Sequence, residues 1–289
     1  MVKIYWRKIK YIYRNLNFLF LLDGLLLATI FFFASESKYE SQLFTAISNK
    51  IKDSLPANYS KEAFALKAAE TTFTLEENRY VVFGEKKIEG IKANYFHPAT
   101  VDLMTGNGAC ASYAAVLASI LRADGMQVRI GQMKVNGLYG GHMFVETKTE
   151  SGWIVLDPMF NQSFKKPDGS LAGFKDLQQN WDFYKTQVPG NYKPEYSYSG
   201  VRYANWNKIP VITPAIKSML NFFIGKEKAD QISVRPYLLR IYNKLTWLTG
   251  FVLLISLIQT ARIYKRRKLY RTKLNKQLDT AMEMKIFAA

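Results

Sequence analysis

Three residues of this chain have types and spacing suited to acyl-transfer chemistry: Cys110, His142 and Asp157. A thiol becomes a strong nucleophile when a neighbouring base takes its proton. An imidazole serves best as that base when a carboxylate holds its second nitrogen. Cys110 is the sole cysteine, so no disulfide forms within one chain, and the thiol is either an inert buried hydrophobe or a reactive group. Gly106 and Gly108, in Thr105-Gly-Asn-Gly-Ala109, leave the approach to the sulfur open and let backbone come close to a substrate carbonyl. Backbone N–H groups at a helix start are natural donors to the oxyanion of a tetrahedral intermediate. Asn107 and Tyr95 are the side-chain candidates for the same task. This chemistry calls for no cofactor and no metal.

The elements that must position these groups are legible around them. Ala114, Leu117, Ile120 and Leu121 make one apolar stripe, which predicts a helix over Ala111–Ala123, with Gly125 suited to its C′ position. Cys110 then stands at the first turn, where unpaired N–H groups and the helix dipole favour a thiolate. Three strands are expected at Gln127–Met133, Gly141–Thr147 and Trp153–Leu156. A glycine-rich turn, Asn136–Gly141, separates the first pair, and Thr149-Glu-Ser-Gly152 is a short hairpin signal between the second. If that hairpin turns about Thr149 and Glu150, His142 and Asp157 are equally far from the turn and face each other directly.

The arrangement resembles the transglutaminase-like superfamily, whose fold is related to the papain-like cysteine proteases. The residues that carry the resemblance are Gly108-Ala-Cys110-Ala-Ser-Tyr-Ala-Ala-Val-Leu-Ala-Ser-Ile-Leu-Arg122-Ala-Asp-Gly125-Met-Gln-Val-Arg129. His142-Met-Phe-Val-Glu146 and Trp153-Ile-Val-Leu-Asp157-Pro158 follow in order, so the likeness runs from roughly 105 to 160. The family's usual Trp two residues after the histidine is Phe144 here. The resemblance implies an α+β fold, a papain-like core in which the helix bearing Cys110 packs on an antiparallel sheet. It also implies a Cys110–His142–Asp157 triad.

The ends of the chain read differently. Of the formal charge of +17, residues 1–34 hold +4, residues 236–289 hold +9, and the long middle only +4. The excess flanks the two most apolar stretches, a membrane pattern rather than a nucleic-acid one. Leu16–Ala34 has 13 Leu, Ile or Phe among 19 residues, each worth roughly −0.3 to −0.6 kcal/mol on insertion. Together these outweigh the about 2.5–3.5 kcal/mol cost of its one charge, Asp23. A cleaved signal peptide, with Ala34-Ser35-Glu36-Ser37 after the run, is the competing reading. The run is long for that role and its basic prelude extended. Leu245–Ala261 is uncharged between Lys244 and Arg262 and is either a short span or a buried core helix. The basic cluster behind it favours the span.

The expected organisation is therefore a basic cytoplasmic segment 1–15 and a transmembrane helix 16–34, followed by an extracytoplasmic domain 35–235. A juxtamembrane segment 236–244, a second transmembrane helix 245–261 and a basic cytoplasmic tail 262–289 complete it. Asp23 inside a span calls for a basic or polar partner on another helix, unless it is protonated or lies near the interface. Within the domain, helix is expected from 38 with a break at Pro56-Ala57-Asn58, and residues 84–100 carry no clear pattern. The Tyr- and Trp-rich segment 181–206 reads as loop, lining a groove or forming a core edge. Residues 210–225 are weakly amphipathic, and either dock on membrane or partner or cover the core.

The resulting expectation is a membrane-anchored bacterial enzyme that cleaves or transfers amide bonds of envelope proteins or peptides through a thioester. Hydrolysis is preferred over transamidation because excluding water needs a dedicated pocket. The rival is a catalytically silent transglutaminase-like module that binds partners in an envelope assembly, with Asp23 and segment 210–225 as docking elements. Nucleic acid is not an expected partner, since the basic clusters flank apolar spans and lack aromatic platforms.

Overall fold

A computed structural model describes residues 15–83, 90, 92–105, 109–135, 138–206 and 212–287 of the 289-residue chain. In chain order the helices α1 (Leu16–Asp53) and α2 (Lys61–Phe83), a π-helical turn (Lys92–Phe96), α3 (Ala99–Thr105) and α4 (Cys110–Ala123) come first. Strands β1 (Val128–Val135), β2 (Leu138–Thr149), β3 (Gly152–Asp157) and β4 (Gln162–Ser163) follow. The short helices α5 (Phe174–Gln179) and α6 (Trp181–Tyr184) precede β5 (Val201–Arg202). Helices α7 (Ile212–Ile224), α8 (Lys226–Asp230), α9 (Arg235–Leu238) and α10 (Ile241–Phe287) close the chain. Two compact units result: residues 1–37 with 242–289, and residues 38–241.

In the first unit, α1 and α10 are both long and apolar enough to cross a membrane. Each runs well past the apolar stretch that the sequence marks. Neither Gly nor Pro occurs between Gly24 and Pro56 or after Gly250, so nothing stops the helical ladder at the end of either stretch. Phe20, Leu21, Leu25 and Phe31 of α1 and Trp247 and Phe251 of α10 are exposed, as side chains facing lipid would be. Asp23 is buried, and its Oδ2 accepts a hydrogen bond at 2.9 Å from Thr260, which also donates to the Ser256 carbonyl at 3.0 Å. The partner that an intramembrane carboxyl calls for is thus a threonine hydroxyl.

The second unit is built on a five-stranded antiparallel sheet in the order β4-β3-β2-β1-β5. Successive strand residues point to opposite faces, and here both faces are covered. Val145, Ile154 and Leu156 pack beneath Phe64, Ala65 and Ala68 of α2 and Leu117, Ile120 and Leu121 of α4. On the reverse face, Met133, Phe144 and Val155 meet Phe164, Leu177, Tyr184 and Tyr198. Four small buried residues of α4 (Ser112, Ala114, Ala115 and Ala118) let that helix approach its neighbours closely.

The end of α4 follows from its sequence. Gly125 takes φ +78°, its N–H bonds to the Arg122 carbonyl at 3.1 Å, and the Met126 N–H bonds to the Leu121 carbonyl at 3.1 Å. These are the two bonds of a Schellman cap. Leu121 and Met126 are both buried beside it.

Two sequence expectations about the sheet need correction. Strand β2 begins at Leu138, three residues before the expected start at Gly141, so Leu138, Tyr139 and Gly140 belong to a strand rather than to a long turn. The β2–β3 hairpin pairs Thr149 with Gly152 and Val145 with Leu156, so it turns on Glu150 and Ser151. Gly152, at φ +118°, supplies the conformation that closes the turn there. That register sets Asp157 level with Phe144, and His142 lies two residues before Phe144 on β2, farther from the turn.

Candidate active site

Cys110 is the first residue of α4. Ala109 before it is extended, at φ −94° and ψ 143°, and offers no side-chain cap. The first-turn N–H groups therefore have no side chain claiming them, as an oxyanion site requires. The thiol is half-buried, and its Sγ lies 3.7 Å from the Gly141 carbonyl oxygen, which brings the start of α4 against β2 one residue before His142.

His142 sits on an irregularity of that strand. Gln132 pairs with Met143 and Lys134 with Tyr139, so Gly140, Gly141 and His142 oppose the single residue Met133. Bulges of this kind re-aim a side chain beside functional sites. Gly141 is required there, because a Cβ would lie 2.2 Å from Val135 Cγ2. Although His142 and Asp157 are not directly opposite, they share a sheet face, and imidazole Nε2 reaches Asp157 Oδ2 at 2.5 Å. Both side chains have zero exposure. Tyr192 donates its hydroxyl to the same Oδ2 at 3.2 Å. Burial, together with the neighbouring Asp157 charge, pushes the Tyr192 phenol well up, so it remains a neutral donor.

An aromatic enclosure surrounds the imidazole. Tyr196 stacks on it at 4.6 Å and 12°, Phe160 lies at 5.5 Å, and Tyr192 meets it edge-on at 6.0 Å. Burial works against the imidazolium, but the Asp157 charge, its hydrogen bond and the adjacent Cys110 sulfur outweigh it. The His142 pKa rises to about 9. Nδ1 is buried and makes no hydrogen bond. With Nε2 committed to Asp157, Nδ1 is the nitrogen left to exchange a proton with sulfur.

Of the remaining sequence candidates, Tyr95 stands apart from this cluster. Tyr95 lies on the π-helical turn with its side chain 80% exposed, and no hydrogen bond or ring contact joins it to Cys110 or His142 among the described residues. Asn107 lies outside the described residues. Segment 181–206 divides between its two readings: Tyr192 and Tyr196 enclose His142, while Trp181, Tyr184 and Tyr198 belong to the core beneath the sheet. Phe160, Gln132 and Arg235 also gather near the site without any sequence signal to single them out.

Over residues 79–158 the chain matches the family model described as the transglutaminase-like superfamily core. No curated protein and no solved structure matches it significantly. The chain thus carries a transglutaminase-like superfamily domain at residues 79–158. The match begins well before the stretch that carries the sequence resemblance and ends one residue after Asp157.

Proposed function

We propose that residues 38–241 form a membrane-anchored cysteine acyl-transfer enzyme in which Cys110 is the nucleophile, His142 the proton carrier and Asp157 its orienting carboxylate. The observation that carries this reading is the buried His142–Asp157 pair, whose Nδ1 is unclaimed and whose imidazolium the nearby Cys110 sulfur at a helix start favours. The thiolate attacks an amide carbonyl, and the oxyanion accepts from the Cys110 backbone N–H. Collapse of the intermediate breaks the C–N bond, and His142 gives its proton to the departing amine, leaving a thioester. Water, deprotonated by His142, then attacks the thioester and releases a carboxylic acid and the thiol. An amine in place of water gives transamidation. Hydrolysis is favoured because the half-buried sulfur remains accessible to solvent.

Retention of the basic flanks of α1 and α10 in the cytoplasm would put this domain outside the inner membrane, where peptide and protein amides of the envelope are the accessible substrates. The test is the pH dependence of Cys110 alkylation by iodoacetamide in the detergent-solubilised full chain, beside His142→Ala. Rapid alkylation below pH 8 that is lost in the variant supports the enzyme. An inert thiol, or one whose rate is the same in both proteins, replaces it with a catalytically silent binding module.

A further inference from the structure

Strands β5, β1 and β2 bring Arg202, Gln132 and Met143 into one cross-strand row. Residues in direct register share a face, and Met143 packs against the core cluster that includes α4, so the row lies on the face that α4 covers. Arg235, the first residue of α9, reaches the same row. Its Nη2 donates to Gln132 Oε1 at 2.7 Å, and its Nη1 lies 2.9 Å from Met143 Sδ. Arg202 donates to that same oxygen through Nε at 3.0 Å and Nη2 at 2.8 Å. Three N–H groups from two cations therefore converge on one neutral amide oxygen.

Holding the Arg235 guanidinium there is costly without an anion. Two guanidinium groups repel, and their planar forks match carboxylate geometry far better than a lone amide oxygen. Gln132 is buried, both arginines are half-buried, and Arg235 forms no ion pair with Asp or Glu among the described residues. Burial first, and then the Arg202 charge, lower the Arg235 pKa, while the Cys110 sulfur raises it, so the cluster lies within electrostatic reach of the nucleophile. Met143, which Arg235 touches, is the residue after His142.

We infer that Arg235 and Arg202, organised by the Gln132 amide, form an anion-binding subsite beside Cys110 that selects amide substrates carrying a carboxylate next to the scissile bond. The inference rests on the acyl-transfer reading for where the reacting carbonyl lies. Gln132 Oε1 marks a position that one substrate carboxylate oxygen can share or take over.

Iodoacetate and iodoacetamide alkylate the same sulfur by the same displacement and differ in charge, so the ratio of their rate constants isolates anion recognition. In the detergent-solubilised full chain, Arg235→Gln should lower the iodoacetate-to-iodoacetamide ratio by about tenfold, and Arg235→Lys should recover part of it. Arg202→Gln should move the ratio in the same direction. If both rates fall together and the ratio holds, the guanidinium groups act on the sulfur alone and the subsite is overturned. A measurement without variants is protection of wild-type Cys110 from iodoacetamide by N-acetylglycine, which carries a carboxylate beside its amide, and not by the neutral N-acetylglycinamide. Equal protection by both, or by neither, also overturns the subsite. Should wild-type Cys110 react with neither reagent, the acyl-transfer reading fails first. The subsite then stands or falls on whether N-acetylglycine raises the melting temperature of wild type and not of Arg235→Gln.

Discussion

His142 Nε2 and Asp157 Oδ2 are 2.5 Å apart, with both side chains fully buried and Tyr192 closing the far side of the carboxylate. A carboxylate in such a place orients the ring and favours its charged form. Asp157→Asn should keep the fold yet slow acylation of Cys110 by p-nitrophenyl acetate by about 100- to 10,000-fold, followed as single-turnover nitrophenolate release. Replacing His142 by Ala leaves a buried carboxylate without its cation and should cost about 3 kcal/mol in denaturant unfolding.

The same pair gives stability a defined pH dependence. The His142 pKa is raised from 6.5 to about 9 in the folded chain, so the folded state binds the proton more tightly than the unfolded one. The resulting stabilisation is present in full below about pH 6.5 and is lost as pH rises through about 9. Melting temperature should therefore fall more steeply between pH 6.5 and 9.5 in wild type than in His142→Gln. Parallel curves for the two proteins would contradict this.

Behind the nucleophile, α2 supplies a second buried acid. Glu76 has no exposure, and Ser112 of α4 donates to its Oε2 at 2.7 Å while Oε1 goes unpartnered. Burial, opposed by the Ser112 hydrogen bond and assisted by Asp102, raises its pKa from 4.5 to about 7. The folded state thus holds this proton more tightly, and stability declines as pH rises from about 4.5 through 7. Glu76→Gln removes that loss. The variant should match wild type near pH 4.5 and exceed it by on the order of 1–3 kcal/mol at pH 8, read by chemical denaturation.

How much of this was legible in the sequence depends on the kind of constraint involved. Helix α4 was readable because its apolar stripe, its glycine stop and its packing all depend on nearby residues. Its observed start differs from the expected one by a single residue. The hairpin turn was placed one residue early, which shifts the pairing register by two. A two-residue shift preserves the face, because side chains alternate with period two. His142 and Asp157 consequently meet diagonally rather than directly. A shift of the other parity would have put them on opposite sides of the sheet. The bulge at Gly140–His142 was hidden because its glycines also suit a loop. Arg202 and Arg235 were two among 40 basic residues, and only strand pairing and the entry of α9 bring them to one amide oxygen. Helix from residue 38 onward was expected as a separate element, and its continuity with the apolar run of α1 was obscured by a change from apolar to polar composition, which marks a change of surroundings without ending a helix.

Phe144 stands where the family's usual residue is Trp, and Gly131 makes room for it. A Cβ at position 131 would lie 2.4 Å from the Phe144 ring. Gly131→Ala should destabilise the domain by about 1–3 kcal/mol through overpacking. Combining it with Phe144→Leu should cost less than the two single changes added together, and a double-mutant cycle of unfolding free energies measures that coupling. Strict additivity would show that the close approach carries no energetic weight.

In the helical unit, Thr260→Val deletes the only hydroxyl bonded to Asp23 among the described residues while preserving shape. The change should weaken association of α1 and α10 by about 0.6–2 kcal/mol, measured as resistance to unfolding in mixed detergent micelles. Asp23→Asn keeps an acceptor and should lose less. Equal losses in both variants would argue that the hydrogen bond contributes nothing.

The half-buried sulfur at the head of α4 has a practical consequence, since the sequence offers no other. A spin label, fluorophore or mass tag carried by a maleimide reports from one known address in the native chain, without prior removal of competing thiols. The mass shift per chain counts competent molecules in a preparation. Oxidation can join only chain to chain, so a covalent dimer on a non-reducing gel would record an encounter between two copies at this single point.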